Sequence, residues 1–103
     1  MSAYVIGHFT VHDKDHYNHY RSEFFPIFKR FGGELVAVDD DGAVMEGELP
    51  AGRTVILRFP DVETAKSWWS SDDYQRISGY RKDGVVQHFM TIINDKPAGD
   101  PFA

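Results

Sequence analysis

The stretch from Arg53 to Trp69, RTVILRFPDVETAKSWW, holds a strand, a stop and a helix start in succession. Val55, Ile56 and Leu57 give its first half the β-branched and apolar character of a buried strand. Successive side chains of a strand point to opposite faces, so Val55, Leu57 and Phe59 share one face and Thr54, Ile56 and Arg58 the other. The first set is the more apolar and belongs beneath helices, which sends Arg58 to the opposite side. Pro60 ends the strand, and Asp61 supplies a helix N-cap. Val62, Ala65, Trp68 and Trp69 follow at helical spacing. The run Ser70-Ser71-Asp72-Asp73 reads as a break with a fresh N-cap, and a second helical piece carries Tyr74, Ile77 and Tyr80.

The remaining elements fall on either side of this core. Residues 3–12 read as a strand. Asp13-Lys14-Asp15 opens an amphipathic helix whose Tyr17, Tyr20, Phe24, Ile27, Phe28 and Phe31 share a face. Pro26 predicts a kink or interruption in that helix, and Gly32-Gly33 ends it. Glu34 to Val38 reads as a short strand, Asp39-Asp40-Asp41-Gly42 as a turn, and Ala43 to Leu49 as a second extended piece. Asp83-Gly84 is a turn, and Val85 to Ile93 is the last strand. The order is βαββαβ, an α+β ferredoxin-like sheet with two helices on one face. Residues 1–95 form that domain and 96–103 an irregular tail. The uncovered sheet face calls for a partner, and two such sheets packed face to face give a homodimeric α/β barrel.

Composition narrows the function. The 103 residues carry 11 Lys+Arg against 16 Asp+Glu, a net charge of −5. Phosphate neutralisation needs clustered cations, so nucleic acid is not an expected partner. Cysteine is absent, which removes disulfides, thiolate metal sites and cysteine catalysis. No apolar run approaches the roughly 20 residues that span a bilayer. Met1-Ser2-Ala3-Tyr4 lacks the features of a signal peptide, and a cytoplasmic location is expected. There is no glycine-rich phosphate loop, so no cofactor is expected. His12, His16 and His19 are the one grouping with metal-like spacing, and a solvated face accounts for them better than a metal. Fifteen per cent of the residues are aromatic, enough to line a core, an interface or a pocket.

Several residues carry a family resemblance from Tyr4 to Ile93. They are Gly32-Gly33, Glu46-Gly47-Glu48, Val55-Ile56-Leu57-Arg58-Phe59-Pro60, Ala65, Trp68-Trp69, Ser71, Tyr74-Gln75 and Arg81. In this order and spacing the chain resembles the domain of unknown function 1330 family, within the dimeric α/β-barrel superfamily. The resemblance implies the fold and a dimer but no particular reaction. The wider superfamily includes cofactor-independent monooxygenases, lactone isomerases, haem-binding enzymes and stress-response barrels. Arg58 is a departure, because the family usually carries an acidic residue before Phe-Pro.

Strand alternation puts Tyr4, Ile6, His8 and Thr10 on the uncovered face with Arg58. In the last strand Val86, His88, Met90 and Ile92 are the set expected there. His8, Arg58 and His88 are then the candidate catalytic residues, converging between two sheets, with histidine as acid or base. The competing expectation, which is the favoured one, is that these residues make inter-subunit hydrogen bonds or reach solvent at strand ends. Tyr4, Glu46, Trp69, Tyr74 and Arg81 are the candidate substrate-binding residues. Glu46 and Arg81 are favoured by the resemblance, and Trp69 by its position about 100° round the helix from Trp68. The expected function is that of a dimeric barrel binding a small organic ligand, with a cofactor-independent oxygenase or isomerase of aromatic or carbonyl compounds as its enzymatic form. The alternative is a non-enzymatic ligand-binding or stress-related dimer module.

Overall fold

Residues 2–96 and 99 are described by a computed structural model of the chain. Seven elements follow one another: β1 (Ala3–Val11), α1 (Lys14–Arg30), β2 (Glu34–Asp39), β3 (Arg53–Phe59), α2 (Val62–Ser70), α3 (Asp72–Gly84) and β4 (Val85–Asn94). The strands form one antiparallel sheet in the order β2-β3-β1-β4. This is the ferredoxin-like arrangement the element order implies, with the second helical region divided at Ser71. Most of the expected tail, 96–103, lies outside the described residues.

The helices begin where the sequence offers caps. The Asp13 carboxylate accepts from the backbone N–H of Asp15 and His16, Asp61 from that of Thr64, and the Ser71 hydroxyl from that of Tyr74. Each satisfies a donor that a helix start leaves free. The hydrogen bonds from His16 and from Thr64 hold the Asp13 and Asp61 carboxyls below their usual range. A carboxyl depressed in the folded state stabilises above its unfolded pKa, and that stabilisation is lost as pH falls through the folded value. Thermal melts recorded down from neutral pH should therefore show the melting temperature falling on the acid side of about pH 4. A flat profile there would contradict the caps.

One layer of core lies between sheet and helices. Val5, Leu57 and Phe59 meet Tyr20, Ile27 and Phe28 of α1, Ala65 and Trp68 of α2, and Tyr74 and Ile77 of α3. Trp68 is buried, whereas its neighbour Trp69 is 46% exposed. Helix α1 runs on through Pro26, where the sequence predicts a kink or a break, since Pro26 sits on the solvent side and Ile27 and Phe28 are anchored in the core. Gly32, at φ 73°, gives the left-handed turn after the helix. A Cβ on Gly33 would run into the Phe28 ring.

Asp83-Gly84, expected as a turn, is the end of α3, and two further expectations are corrected. Residues 43–49 form no strand, so Glu46 and Glu48 stand exposed on the loop between β2 and β3. That loop is tied to the sheet by polar contacts instead of a strand ladder. The second correction concerns β4. Its pairing with β1 shifts between His8 and Phe9, so that His8 faces Phe89 while Phe9 faces Gln87. His88 is the extra residue of a β-bulge, and beyond it the alternation reverses. Val86 and His88 lie on the uncovered face as expected, but Met90 and Ile92 turn to the helices and pack against the core. Phe89, Thr91 and Ile93 take their places.

Candidate functional site

The uncovered sheet face contains part of the expected site. His8 is buried, with Nε2 2.6 Å from the Pro50 carbonyl and Nδ1 2.8 Å from the Thr54 hydroxyl. A carbonyl only accepts, so Nε2 carries the proton and Thr54 donates to Nδ1. The His88 ring lies 5.4 Å from that of His8, and its Nε2 is 2.8 Å from the Thr10 hydroxyl. Thr10 in turn donates to the Ala51 carbonyl. Both histidines therefore pin the loop between β2 and β3 onto the sheet, and His8 has both ring nitrogens engaged. Arg58 does lie on this face, opposite Tyr4 in the ladder. It does not join the histidines, because Glu34 on β2 holds its guanidinium at 2.6 Å. Glu46 is out on the loop between β2 and β3.

The helix-covered side contains a cleft. A cavity of about 290 Å³ lies between α1 and the β1, β3 and β2 strands. Arg21 and Phe25 on α1 and Leu35 and Val38 on β2 are exposed and form its mouth. Tyr20, Trp68, Tyr74 and Arg81 are buried and form its inner end. The walls are largely apolar, with Val5, Phe9, Tyr17, Phe24, Val55, Leu57 and Met90. Such a space, apolar with a few placed polar groups, is the usual form of a small-molecule site, and its size suits a compact ligand.

The charged groups in the lining of the cleft are of one sign. Among the described residues its lining includes Arg21, Arg53 and Arg81 and no carboxylate or imidazole. Arg53 is neutralised by Asp40, which its Nε and Nη2 reach at 2.6 and 3.0 Å, and its Nη1 donates to the Tyr17 hydroxyl at 3.2 Å. The Asp40 hydrogen bond raises its pKa further. Arg81 differs. It is buried, forms no ion pair among the described residues, and donates through Nη1 to the Gln87 side-chain oxygen at 3.0 Å. Its buried Nε has no hydrogen-bond partner among the described residues, and neither has Trp68 Nε1. The C-terminal end of α3 offsets some of the cost of this cation, about 0.3–1 kcal/mol. That is small beside the several kcal/mol that desolvating an unpaired ion costs.

Beside Arg81 the Tyr20 and Tyr74 hydroxyls are 2.8 Å apart. Burial, followed by the neighbouring Tyr74, pushes the Tyr20 phenol well above its ordinary range, with Arg81 acting in the opposite sense. Tyr20 is thus a neutral phenol, able to donate but not to take a proton. Of the substrate-binding candidates, Tyr74 and Arg81 line this cleft. Trp69 lines a second, more open cleft that shares Arg81, Gln87 and Met90 with the first. Tyr4 and Glu46 touch neither. The histidine grouping does not converge. His16 pairs with Asp13 at 2.7 Å, and His19 pairs with Glu23 at 3.2 Å and stacks on Tyr80. Among the described residues no three His, Asp or Glu side chains are placed to hold a metal ion.

The Domain of unknown function family DUF1330 matches residues 2–94. The chain belongs to that family. No curated protein matches this DUF1330 chain by sequence. Solved structures share its fold at low identity. A protein of unknown function from Rhodopseudomonas palustris, RPA0582, superposes with a TM-score of 0.73 at 15% identity, covering 96% of this chain and 84% of that one. SnoaB, a cofactor-independent oxygenase from Streptomyces nogalater, gives 0.65 at 11% identity, over 94% and 95% of the two chains. An ethyl tert-butyl ether D (EthD) family protein from Bacillus halodurans gives 0.58 at 14% identity, over 92% and 99%. These likenesses show that the DUF1330 chain shares its ferredoxin-like α+β fold with these proteins. Among its described residues no helix is long and apolar enough to cross a membrane.

Proposed function

We propose that this DUF1330 protein binds a small planar organic compound with an acidic oxygen, placed in the cleft with that oxygen at Arg81. The observation that carries the reading is the buried Arg81 guanidinium, which no carboxylate among the described residues neutralises. A desolvated cation with one amide as its partner favours an anion from outside. Aromatic walls then suit a flat ring system. The protein works as a homodimer, its second copy covering the sheet face that carries Ile6, Ile56, Phe89 and Ile93.

Turnover fits one reaction class better than another. An isomerase must carry a proton between two carbons, and the cleft lining offers no carboxylate or imidazole among the described residues to do so. A cofactor-independent oxygenase, the activity named for SnoaB, makes a smaller demand. The ligand ionises to solvent, Arg81 stabilises the enolate oxygen, and the enolate carbon bonds to dioxygen. The peroxide anion takes a proton to become a hydroperoxide, and the remaining C–H proton then leaves to solvent as the O–O bond breaks and hydroxide departs, so that a CH2 group and one dioxygen become a carbonyl and one water. Arg81 is the group that stabilises charge here, and Tyr20 or Tyr74 the donor to the peroxide.

Titration calorimetry with 2-naphthalenesulfonate and with uncharged 2-naphthalenemethanol tests the binding. A hydrogen-bonded contact to a charged group is worth about 1.5–3 kcal/mol, so the anion should bind roughly 10- to 150-fold tighter. Equal binding of the two, or none of the anion, would sink the proposal.

A further inference from the structure

We infer that Gln87 is a specificity-determining residue: it fixes the direction of Arg81 while leaving its charge uncompensated, and so selects anionic ligands. The inference rests on the reading of the cleft given above.

The geometry comes from the bulge in β4. Gln87 precedes the extra residue, His88, and faces the helices opposite Phe9. Its side-chain nitrogen donates to the Phe89 carbonyl at 2.8 Å, with the His8 carbonyl at 3.4 Å. These are the backbone carbonyls of the two residues that face each other just beyond the bulge. With the nitrogen held by carbonyls, the amide has one orientation, and its oxygen must point to Arg81 Nη1, at 3.0 Å. An amide in this position does two things that a carboxylate would not. It satisfies the carbonyls at the bulge as a donor, and it accepts from Arg81 without cancelling the cation. Glutamate is nearly isosteric, and in its place would make a charge-assisted pair with Arg81, removing the cleft's demand for an anion. Gln87 touches Arg81 and Met90 lines the same wall, so the residue acts through Arg81 and need not touch the ligand's ring.

Two variants, Gln87→Glu and Gln87→Met, separate this role from simple packing, with the same two naphthalene probes read by calorimetry. Gln87→Glu should bind 2-naphthalenesulfonate at least about tenfold more weakly while keeping its affinity for 2-naphthalenemethanol within about twofold. Gln87→Met leaves Arg81 charged and should retain the preference for the anion, although Arg81 is less well held. A Gln87→Glu protein that still prefers the sulfonate would overturn the inference, as would equal losses for both probes. The underlying reading fails by a different result: wild-type protein with no preference for the sulfonate, or a preference that Arg81→Gln leaves intact.

Discussion

Replacing Arg81 by Met should give a protein that melts at a higher temperature and no longer prefers an anion. Arg81 is 7% exposed and, among the described residues, its side chain makes one hydrogen bond, to Gln87. Two effects oppose each other when it is removed. The Gln87 oxygen loses its donor, which costs about 1–3 kcal/mol if that oxygen is fully buried. Gln87 is only half-buried, so water recovers part of the loss. Against this, an unpaired buried cation carries a desolvation cost of several kcal/mol, and Met fills a similar volume without charge. The second effect is the larger. Each kcal/mol gained raises the melting temperature of a domain this size by about 4–8 °C. Calorimetry of the same variant should show a loss of affinity for 2-naphthalenesulfonate of roughly 10- to 150-fold. A gain in stability coupled to loss of binding is the mark of a site whose strain serves function. A melting temperature lowered by several degrees would instead make Arg81 a structural residue.

The second large effect concerns assembly. Light scattering at micromolar concentration should give twice the chain mass of 11.8 kDa. The reason is the sheet face that no helix covers. Ile6 lies opposite Ile56 in the β1–β3 ladder and opposite Thr91 in β4, with Phe89 and Ile93 one step to either side. Phe89 is 41% and Ile93 44% exposed in the single chain. Val44, Met45 and Leu49 on the β2–β3 loop add further exposed apolar surface. A contiguous apolar patch of this kind marks an interaction site, and closed two-fold pairing is the commonest way such a face is covered. Ile56→Glu would put a carboxylate in the centre of that interface without a partner, at a cost of several kcal/mol. The variant should run as a monomer, with the Arg81 cleft still formed because it lies on the other side of the sheet. A wild-type protein that is monomeric at those concentrations would contradict the arrangement.

The sheet was legible in the sequence because one strand announced its own faces. Val55, Leu57 and Phe59 are apolar and Thr54 and Arg58 are not, so alternation alone orients β3 and, through pairing, β1. The last strand carries no such contrast. Gln87, His88, Phe89 and Met90 give no sign of which residue is the extra one, and a single bulge moved Met90 and Ile92 to the other face. The loop at 40–52 misled for a different reason. Val44, Glu46 and Glu48 alternate like an edge strand, but Thr10, His8 and Arg53 hold this segment by side chains, which leave no periodic trace.

The cleft was partly legible too, from a signal on α3. Tyr74, Ile77, Ser78 and Arg81 stand at steps of three and four and are all buried. A cation at the end of a buried helical stripe needs a partner, and the sequence places no carboxylate at a spacing that would supply it. Strand alternation on the uncovered sheet face points instead to His8, Arg58 and His88 as the catalytic set. The structure gives each of these a partner within the fold. Gln87 was not legible, since its role depends on the bulge beside it.

The central claim is that an anionic planar ligand sits between α1 and the sheet with its charge at Arg81. The most direct test is a crystal structure of the protein with 2-naphthalenesulfonate. The account predicts the naphthalene ring between Phe24, Leu57 and Met90, and a sulfonate oxygen within hydrogen-bonding distance of the Arg81 guanidinium. A probe found on the uncovered sheet face beside His8 and His88, with the cleft empty, would contradict it.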